Sequence, residues 1–244
     1  MAKKRGWETS EASEKYRRYA GLIPGRQEIL DIISRLTAHF TTENPKILDI
    51  GCGYGDVTAA ILALKPSAAV TLVDFSDDML ELAQDRFKEN VNINFIKHDL
   101  NQELLAKVMA VEYDAVVSCF ALHHIEFENR VGLYGNIRRV LRQGGLFING
   151  DRFIQESPRL DGWALDDFVA WVTGQMKEKM KIDRSFDEFK RNLIESDKKM
   201  GDKPGTIWAM REDLHKAGFS YVDCVHMKNK LGLGIMVASE TSPK

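Results

Sequence analysis

The chain has 244 residues, of which 44% are hydrophobic and 29% charged, as is ordinary for a globular protein. Its 34 Lys and Arg residues nearly balance 36 Asp and Glu residues, so the net charge of −2 gives no reason to expect a nucleic-acid partner. Three widely spaced cysteines argue against a disulfide framework or a zinc site, and no apolar run approaches the roughly 20 residues of a membrane span. We therefore expect a cytoplasmic protein with no membrane contact.

In chain order, residues 1–25 are polar and are predicted to form an N-terminal arm. Apolar residues at helical spacing predict a helix over residues 26–40. A short apolar strand at residues 47–50, interrupted by Asp49, then runs into glycines at alternate positions. This pattern predicts a buried strand, a glycine turn and a helix, an arrangement that suits a nucleoside-type cofactor because glycine lets a ligand approach the backbone.

Short apolar strands then alternate with helical segments up to residue 151. Each repeat is about 25 residues long, which predicts a parallel sheet with helices on both faces. The predicted strands lie at residues 70–73, 93–96, 113–118 and 146–148, and a short helix is predicted over residues 102–110. Gln143-Gly144-Gly145 is expected to separate the last strand from the helix before it.

The rhythm changes after residue 151. No strand pattern occurs between residues 159 and 199, and apolar residues at helical spacing predict two or three helices inserted as a cap over about residues 152–205. A short helix at 212–217 and two closing strands at 222–225 and 235–238 complete the chain. Residues 26–244 are therefore expected to form one domain that carries this helical cap.

Acidic residues stand at or next to the ends of the predicted strands. They include Asp49, Asp74, Asp99 and Asp151, and ligands of open α/β sheets bind at the carboxyl ends of the strands. Asp74 is placed to accept hydrogen bonds from ribose hydroxyls, and the alternative is an acid that only favours a helix N-terminus. The turn has the pattern G-x-G-x-G, and its neighbouring acids Asp49 and Asp56 would repel a pyrophosphate but attract a cation.

Five segments carry a resemblance to a known family, and they occur in its order and spacing. They are Ile-Leu-Asp-Ile-Gly-Cys-Gly-Tyr-Gly (47–55), Leu-Val-Asp-Phe-Ser-Asp-Asp-Met-Leu (72–80), Ile-Lys-His-Asp-Leu (96–100), the segment 113–125 that ends in Leu-His-His-Ile, and Val-Leu-Arg-Gln-Gly-Gly-Leu-Phe-Ile (140–148). Together they resemble the class I S-adenosylmethionine-dependent methyltransferases. The resemblance implies a Rossmann-like α/β fold with a seven-stranded, mostly parallel sheet whose last strand is antiparallel.

The resemblance also implies a set of site residues. The glycine turn would face the methionine part of the cofactor, Asp74 the ribose, and the residues after the third strand the adenine, while the loop after the fourth strand would lie near the sulfonium. The candidate cofactor-binding residues are Arg26, Asp49, Gly51, Cys52, Gly53, Asp74, Phe75, Met79, Asp99, Leu100, Cys119 and Phe120.

Methyl transfer needs two reactants held in line, water excluded and, for some acceptors, a base. His123 and His124 follow the fourth strand and are the candidate bases, with Tyr16 of the arm as a further catalytic candidate. A structural role for the histidine pair is the simpler alternative. No metal is expected, because no third ligand is spaced to join the two histidines.

Apolar residues of the cap are candidates for an acceptor pocket, although packing on the core explains them equally well. They are Trp163, Phe168, Trp171, Met176 and Met180. Basic residues of the cap and its surroundings, among them Arg152 and Lys199, are candidates for binding an acidic substrate, although such charges are usually only solvated.

The segments Leu22-Ile-Pro-Gly-Arg26 and Leu214-His-Lys-Ala-Gly-Phe219 resemble carboxy-S-adenosylmethionine synthase, which remodels the cofactor. The chain departs from that pattern at Arg26, where the family has an aromatic residue, and at Cys119, where it has Asn.

Three hypotheses follow. The first is a methyltransferase acting on a small molecule, with S-adenosylhomocysteine as its second product and a homodimer as a possible assembly. The second is a cofactor-remodelling enzyme of the same fold. The third is a non-catalytic protein that binds the cofactor.

Overall fold

The computed structural model describes residue 14, residues 20–228 and residues 232–241. The candidate residue Tyr16 lies outside this part of the chain. The strands are β1 (Lys46–Ile50), β2 (Ala69–Asp74), β3 (Ile93–Lys97), β4 (Tyr113–Cys119), β5 (Leu141–Arg152), β6 (Tyr221–Lys228) and β7 (Leu233–Ser239). The α-helices are α1 (Arg26–Phe40), α2 (Asp56–Leu64), α3 (Asp77–Arg86), α4 (Ala106–Met109), α5 (Phe127–Val140), α6 (Pro158–Met180), α7 (Phe186–Met200) and α8 (Ile207–Lys216), with 3₁₀-helices at Ala20–Leu22 and Leu122–His124.

The strands form one seven-stranded sheet in the order β3-β2-β1-β4-β5-β7-β6. Neighbours from β3 through β5 are parallel, and β7 runs antiparallel to both β5 and β6. The predicted mostly parallel sheet with an antiparallel last strand is therefore confirmed. Strand order reverses between β1 and β4, and crevices at such a switch point bind ligands.

Alternate residues of β1 pack on opposite faces of the sheet, as the two-residue period of a strand requires. Leu48 and Ile50 join the core on the face that α5 and α8 cover, whereas Ile47 joins the core beneath α1 and α2. By the same alternation Asp49 lies on the side of Ile47, where Thr58 of α2 donates a hydrogen bond to it. The buried central strand β1 thus places the carboxylate of Asp49 near the carboxyl-terminal ends of the parallel strands.

Two sequence-based boundaries are wrong. The glycine pair before residue 146 does not interrupt β5, which starts at Leu141 directly after α5. Gly144 instead adopts a positive φ of 79°, and the pairing of β5 with β4 shifts register between Tyr113 and Ala115, so the glycines bend the strand without ending it. The helix expected from residue 102 to 110 shrinks to α4, because Asn101 is held in a turn by Asp99.

Helices α6 and α7 lie between β5 and α8, where the cap was predicted. Lys181 ends α6 in the left-handed conformation, and no residue of α7 is buried. The segment that follows α7 reaches the 3₁₀-helix after β4, since the Lys203 N–H donates to the carbonyl oxygen of His123 at 2.7 Å. Among the helices in the described ranges, none is both long and apolar enough to cross a membrane.

Candidate functional site

The glycine turn after β1 is tied to the end of β2 by backbone hydrogen bonds. The N–H groups of Gly51 and Cys52 donate to the carbonyl oxygen of Val73 at 2.8 and 3.1 Å. Gly51 has a φ of 65°, and a Cβ atom there would lie 2.2 Å from the Cβ of Ala121. Only glycine fits this position, because a side chain would be strained and would collide with the loop after β4.

Asp49 is a buried carboxylate with one oxygen satisfied. Its Oδ2 accepts a 2.6 Å hydrogen bond from the Thr58 hydroxyl, whereas its Oδ1 is buried without a hydrogen-bond partner among the described residues. Burial raises the pKa of Asp49 to about 7, and the neighbouring negative charges of Asp74 and Asp56 act in the same direction. A cationic ligand at Oδ1 would both satisfy this atom and stabilise its charge.

Asp74 closes the turn from β2. Its Oδ2 accepts a 2.8 Å hydrogen bond from the Gly53 N–H and its Oδ1 a 2.9 Å bond from the Ser76 N–H. Burial raises the pKa of Asp74 even though these backbone donors lower it. Each carboxylate oxygen can accept more than one hydrogen bond, so Asp74 is fixed in place and still able to accept from a ligand.

A cavity of about 260 Å³ opens at this edge of the sheet. The structure brings all twelve sequence-predicted cofactor-binding residues to its wall, from Arg26 of α1 to Phe120 after β4. Sequence reasoning missed further lining residues. His98 and Asn101 flank the predicted Asp99-Leu100 pair and were within reach of the same strand-end argument, whereas no local signal marked Ala121, Met200 and Lys203. Lys199, a candidate for binding an acidic substrate, also lines the cavity.

Arg26 and Arg86 neutralise Asp56. The Arg26 Nη2 atom lies 2.5 Å from Asp56 Oδ2, and the Arg86 Nη1 atom lies 2.6 Å from Asp56 Oδ1. Burial alone would raise the pKa of Asp56, but the hydrogen bonds from Arg86 and Tyr54 and the charge of Arg26 hold it below its usual value. Two guanidinium groups therefore offset the charge of Asp56 beside the glycine turn.

The loop after β4 brings Cys119 and Phe120 to the cavity. Phe120 has a φ of 55°, which is unusual for a bulky residue and is held by a 2.9 Å hydrogen bond from its N–H to the Gly150 carbonyl. Its ring lies 5.9 Å from the guanidinium carbon of Arg26. Burial raises the pKa of the Cys119 thiol well above its usual range, which favours the protonated thiol.

The structure separates the two candidate histidines. His124 lines the main cavity, whereas His123 lines a smaller cavity beside it. His123 Nδ1 lies 2.6 Å from Asp151 Oδ1, and although burial lowers the pKa of His123, the Asp151 carboxylate outweighs it and raises the pKa. Burial lowers the pKa of His124 to about 2, with His123 and Lys203 adding to the effect. A catalytic role for either residue stays a prediction.

None of the five apolar cap residues proposed for an acceptor pocket lines the main cavity. Trp163 and Met180 are exposed, and Phe168 is buried in the packing of α6. The cap instead reaches the cavity through its C-terminal end, at Lys199, Met200, Gly201 and Lys203. The helical spacing of these residues predicted an apolar face, but it did not predict which part of the protein packs against that face.

Known proteins share parts of the sequence and the fold of this chain. Residues 47–145 match the family model described as a methyltransferase domain. The carboxy-S-adenosyl-L-methionine synthase of Stutzerimonas stutzeri is 28% identical over 211 residues, which cover 82% of this chain and 79% of that protein. These matches support a class I S-adenosylmethionine-dependent methyltransferase family for the chain.

Two further proteins differ in how much they share with the chain. The demethylmenaquinone methyltransferase of Leptospira interrogans is 33% identical over 106 residues, 43% of this chain and 42% of that protein. The structure of human N-acetylserotonin methyltransferase in complex with S-adenosylmethionine superposes with a TM-score of 0.60 at 15% identity, covering 97% of this chain and 58% of that one. This last similarity concerns the fold alone.

The chain is thus a transferase that uses S-adenosylmethionine. The cavity fits such a cofactor in two respects. The buried, unsatisfied Oδ1 of Asp49 suits a cation, and Gly53 lines the cavity with space beside its backbone, since a Cβ atom there would lie 4.0 Å from Met79 Sδ. Both features are properties of the described residues themselves.

Proposed function

We propose that this protein transfers the methyl group of S-adenosylmethionine to a small molecule in the cytoplasm. The observation that carries the proposal is the composition of the main cavity. One part is built from the ends of β2 and β3, a second from the glycine turn and the loop after β4, and a third from His124 and the end of α7. The first two suffice for a cofactor, so the third is available to an acceptor.

The nucleoside half of the cofactor is assigned to the ends of β2 and β3. Asp74 would accept from the ribose hydroxyls with the lone pairs that Gly53 and Ser76 leave over. Asp99 and Leu100 would border the adenine, with Phe75 and Met79 packed on the ring. This half supplies affinity, because a buried charged acceptor forms strong hydrogen bonds.

The methionine half is assigned to the opposite charges at the turn and α1. Asp49 Oδ1 would accept from the ammonium group, and the charge of Arg26 would attract the carboxylate. This assignment explains why Arg26 replaces an aromatic residue here without loss of the cavity. Phe120 is held at the wall by its strained backbone and would present its ring to the sulfonium.

The bound cofactor supplies a methyl group already activated by the sulfonium. The chain then has to orient the acceptor, exclude water and hold the attacking atom in line. His124 lies where it would contact the acceptor, and Lys199 adds positive charge to the cavity mouth, which favours an acceptor with an anionic group. Cys119 contributes an uncharged wall, since its thiol stays protonated.

Cofactor remodelling is the second candidate, and one observation favours it. Relatives named carboxy-S-adenosyl-L-methionine synthase align over 82% of this chain, whereas the demethylmenaquinone methyltransferase aligns over 43%. The chain departs from the carboxy-S-adenosylmethionine synthase pattern at Arg26 and Cys119, and both residues line the cavity. A remodelling reaction that differs from that of the synthase would require different contacts at these positions.

Incubation of the purified protein with S-adenosylmethionine alone, followed by mass spectrometry, separates the two candidates. We expect the cofactor to remain intact alone and to yield S-adenosylhomocysteine with a panel of small anionic acceptors. The variant Asp74→Ala is the control for background decomposition, because it removes the proposed ribose contact. Conversion of the cofactor by the wild-type protein without any acceptor would overturn methyl transfer and establish remodelling.

A further inference from the structure

Two histidines and an aspartate from distant parts of the chain meet beside the main cavity. His124 Nδ1 lies 3.2 Å from Asp202 Oδ1, and His123 Nε2 lies 4.0 Å from Asp202 Oδ2. One ligand atom from each of the three residues lies within 4.8 Å of the other two. Ligand atoms around a tetrahedral zinc ion are about 3.4 Å apart, so small side-chain movements would complete such a site.

The surroundings of His123 match those of a metal-binding histidine. Its Nδ1 is engaged by Asp151 Oδ1 at 2.6 Å, and its backbone N–H donates to Asp151 Oδ2 at 3.1 Å. This pair of bonds fixes the ring and leaves Nε2 directed at Asp202. Histidines that bind metals characteristically use their second nitrogen for a carboxylate in this way.

Asp202 is held in place by its backbone and lacks a full set of side-chain partners. Its N–H donates to the Asp197 carbonyl oxygen at 3.0 Å, and the next residue, Lys203, is bonded to His123 through the backbone. Its Oδ1 is buried and has no hydrogen-bond partner within the described part of the chain. The 3.2 Å separation from His124 therefore reflects proximity and not a well-aligned hydrogen bond.

Nearby cations do not take the place of a metal ion. The guanidinium of Arg152 lies 3.6 Å from Asp202 Oδ2, but it pairs more closely with Asp197 Oδ2, at 2.6 Å. The ammonium of Lys203 lies 3.1 Å from Glu126 Oε1 and bonds the Gly201 carbonyl. Both cations thus have closer acceptors than Asp202.

We infer that His123 Nε2, His124 Nδ1 and the Asp202 carboxylate bind one divalent first-row transition metal ion of the zinc class. Two imidazoles and one carboxylate suit such ions and leave at least one coordination position open. Because His124 lines the main cavity, that position faces the part assigned to the acceptor. The ion would also fasten the end of the cap to the loop after β4. The expectation of no metal considered only neighbours in sequence and could not include Asp202.

The test uses tag-free, full-length protein that is stripped with a chelator and dialysed against Co²⁺ or Zn²⁺. Elemental analysis should find about one metal ion per chain, and Co²⁺ should give visible d–d absorption of a low-coordinate histidine site. We expect Asp202→Asn and His124→Gln to weaken metal binding by about 100-fold or more, since each removes a direct ligand. Neither readout depends on methyl transfer or on cofactor binding.

Asp187→Asn is the matched control, because it removes an equal charge from an exposed position of α7 and leaves Arg152 paired with Asp197. It should retain the metal. Wild-type protein that emerges from dialysis without stoichiometric metal would overturn the site, as would equal metal content in the wild type and Asp202→Asn. Should the variants fail to fold, the Co²⁺ spectrum of the wild type decides alone, since absent d–d absorption would also overturn the site.

Discussion

The backbone N–H of Gly53 donates a 2.8 Å hydrogen bond to Oδ2 of Asp74. This bond joins the turn after β1 to the acid that ends β2, so two strand ends form one rigid unit at the switch point of the sheet. A ligand that contacts Asp74 therefore also meets the turn. The first prediction tests this unit.

Replacing Asp74 with Ala should weaken S-adenosylmethionine binding by about 10- to 100-fold, because a buried, charged acceptor would be lost. Calorimetric titration measures the change in dissociation constant, with circular dichroism to show that the fold persists. Asp77→Ala serves as the control, since Asp77 is exposed, pairs with Lys97 and does not line the cavity. An unchanged dissociation constant in Asp74→Ala would contradict the ribose assignment.

The Gly51→Ala variant should lose about 2–4 kcal/mol of unfolding free energy, because its methyl group combines a strained φ with a contact 2.2 Å from Ala121 Cβ. Urea denaturation of the cofactor-free protein measures the loss. Gly135→Ala in α5 is the matched control, since its added Cβ meets nothing within 4 Å. That control should gain up to about 1 kcal/mol from better helix propensity. Equal stability of the two variants would argue against the close approach at the turn.

Affinity for S-adenosylmethionine should rise about tenfold between pH 6 and pH 8. The pKa of Asp49 is raised to about 7, and only the ionised carboxylate attracts the ammonium group proposed to contact it. The negative groups facing Asp49 are Asp74 and Asp56, and both remain in Asp49→Asn. That variant should bind more weakly and show a flatter pH profile. A profile of the same steepness in the variant would assign the titration to another group.

Asp49 should also make the cofactor-free protein less stable as the pH rises. The unfolded chain ionises this carboxyl near its usual pKa of 3.8, whereas the folded chain retains the proton up to about pH 7. The free energy of unfolding should therefore fall between pH 4 and pH 7. Asp49→Asn should exceed the wild type by on the order of a few kcal/mol at pH 8, and the difference should shrink towards pH 4. Denaturation at both pH values checks this, and a constant difference would refute it.

The sequence by itself determined the sheet, its parallel units and twelve cofactor-binding candidates that line the main cavity. The reason is that each strand end is local in sequence, and parallel strands bring their carboxyl ends to one edge. The positions of Asp49 and Asp74 at the cavity were predictable, because each lies at or next to the carboxyl end of its own strand. The extent of β5 was not predictable in this way, because a glycine pair within a strand resembles a helix end followed by a break.

Only the tertiary structure decided how the cap meets this edge. It brought Asp202 to His124, turned His123 towards Asp151 and directed the apolar face of α6 away from the main cavity. These contacts join residues far apart in the chain, and helical periodicity specifies that a face is apolar without specifying its neighbour. The physical reason is that a helix can pack in several directions, whereas a strand within a parallel sheet has its direction set by its neighbours.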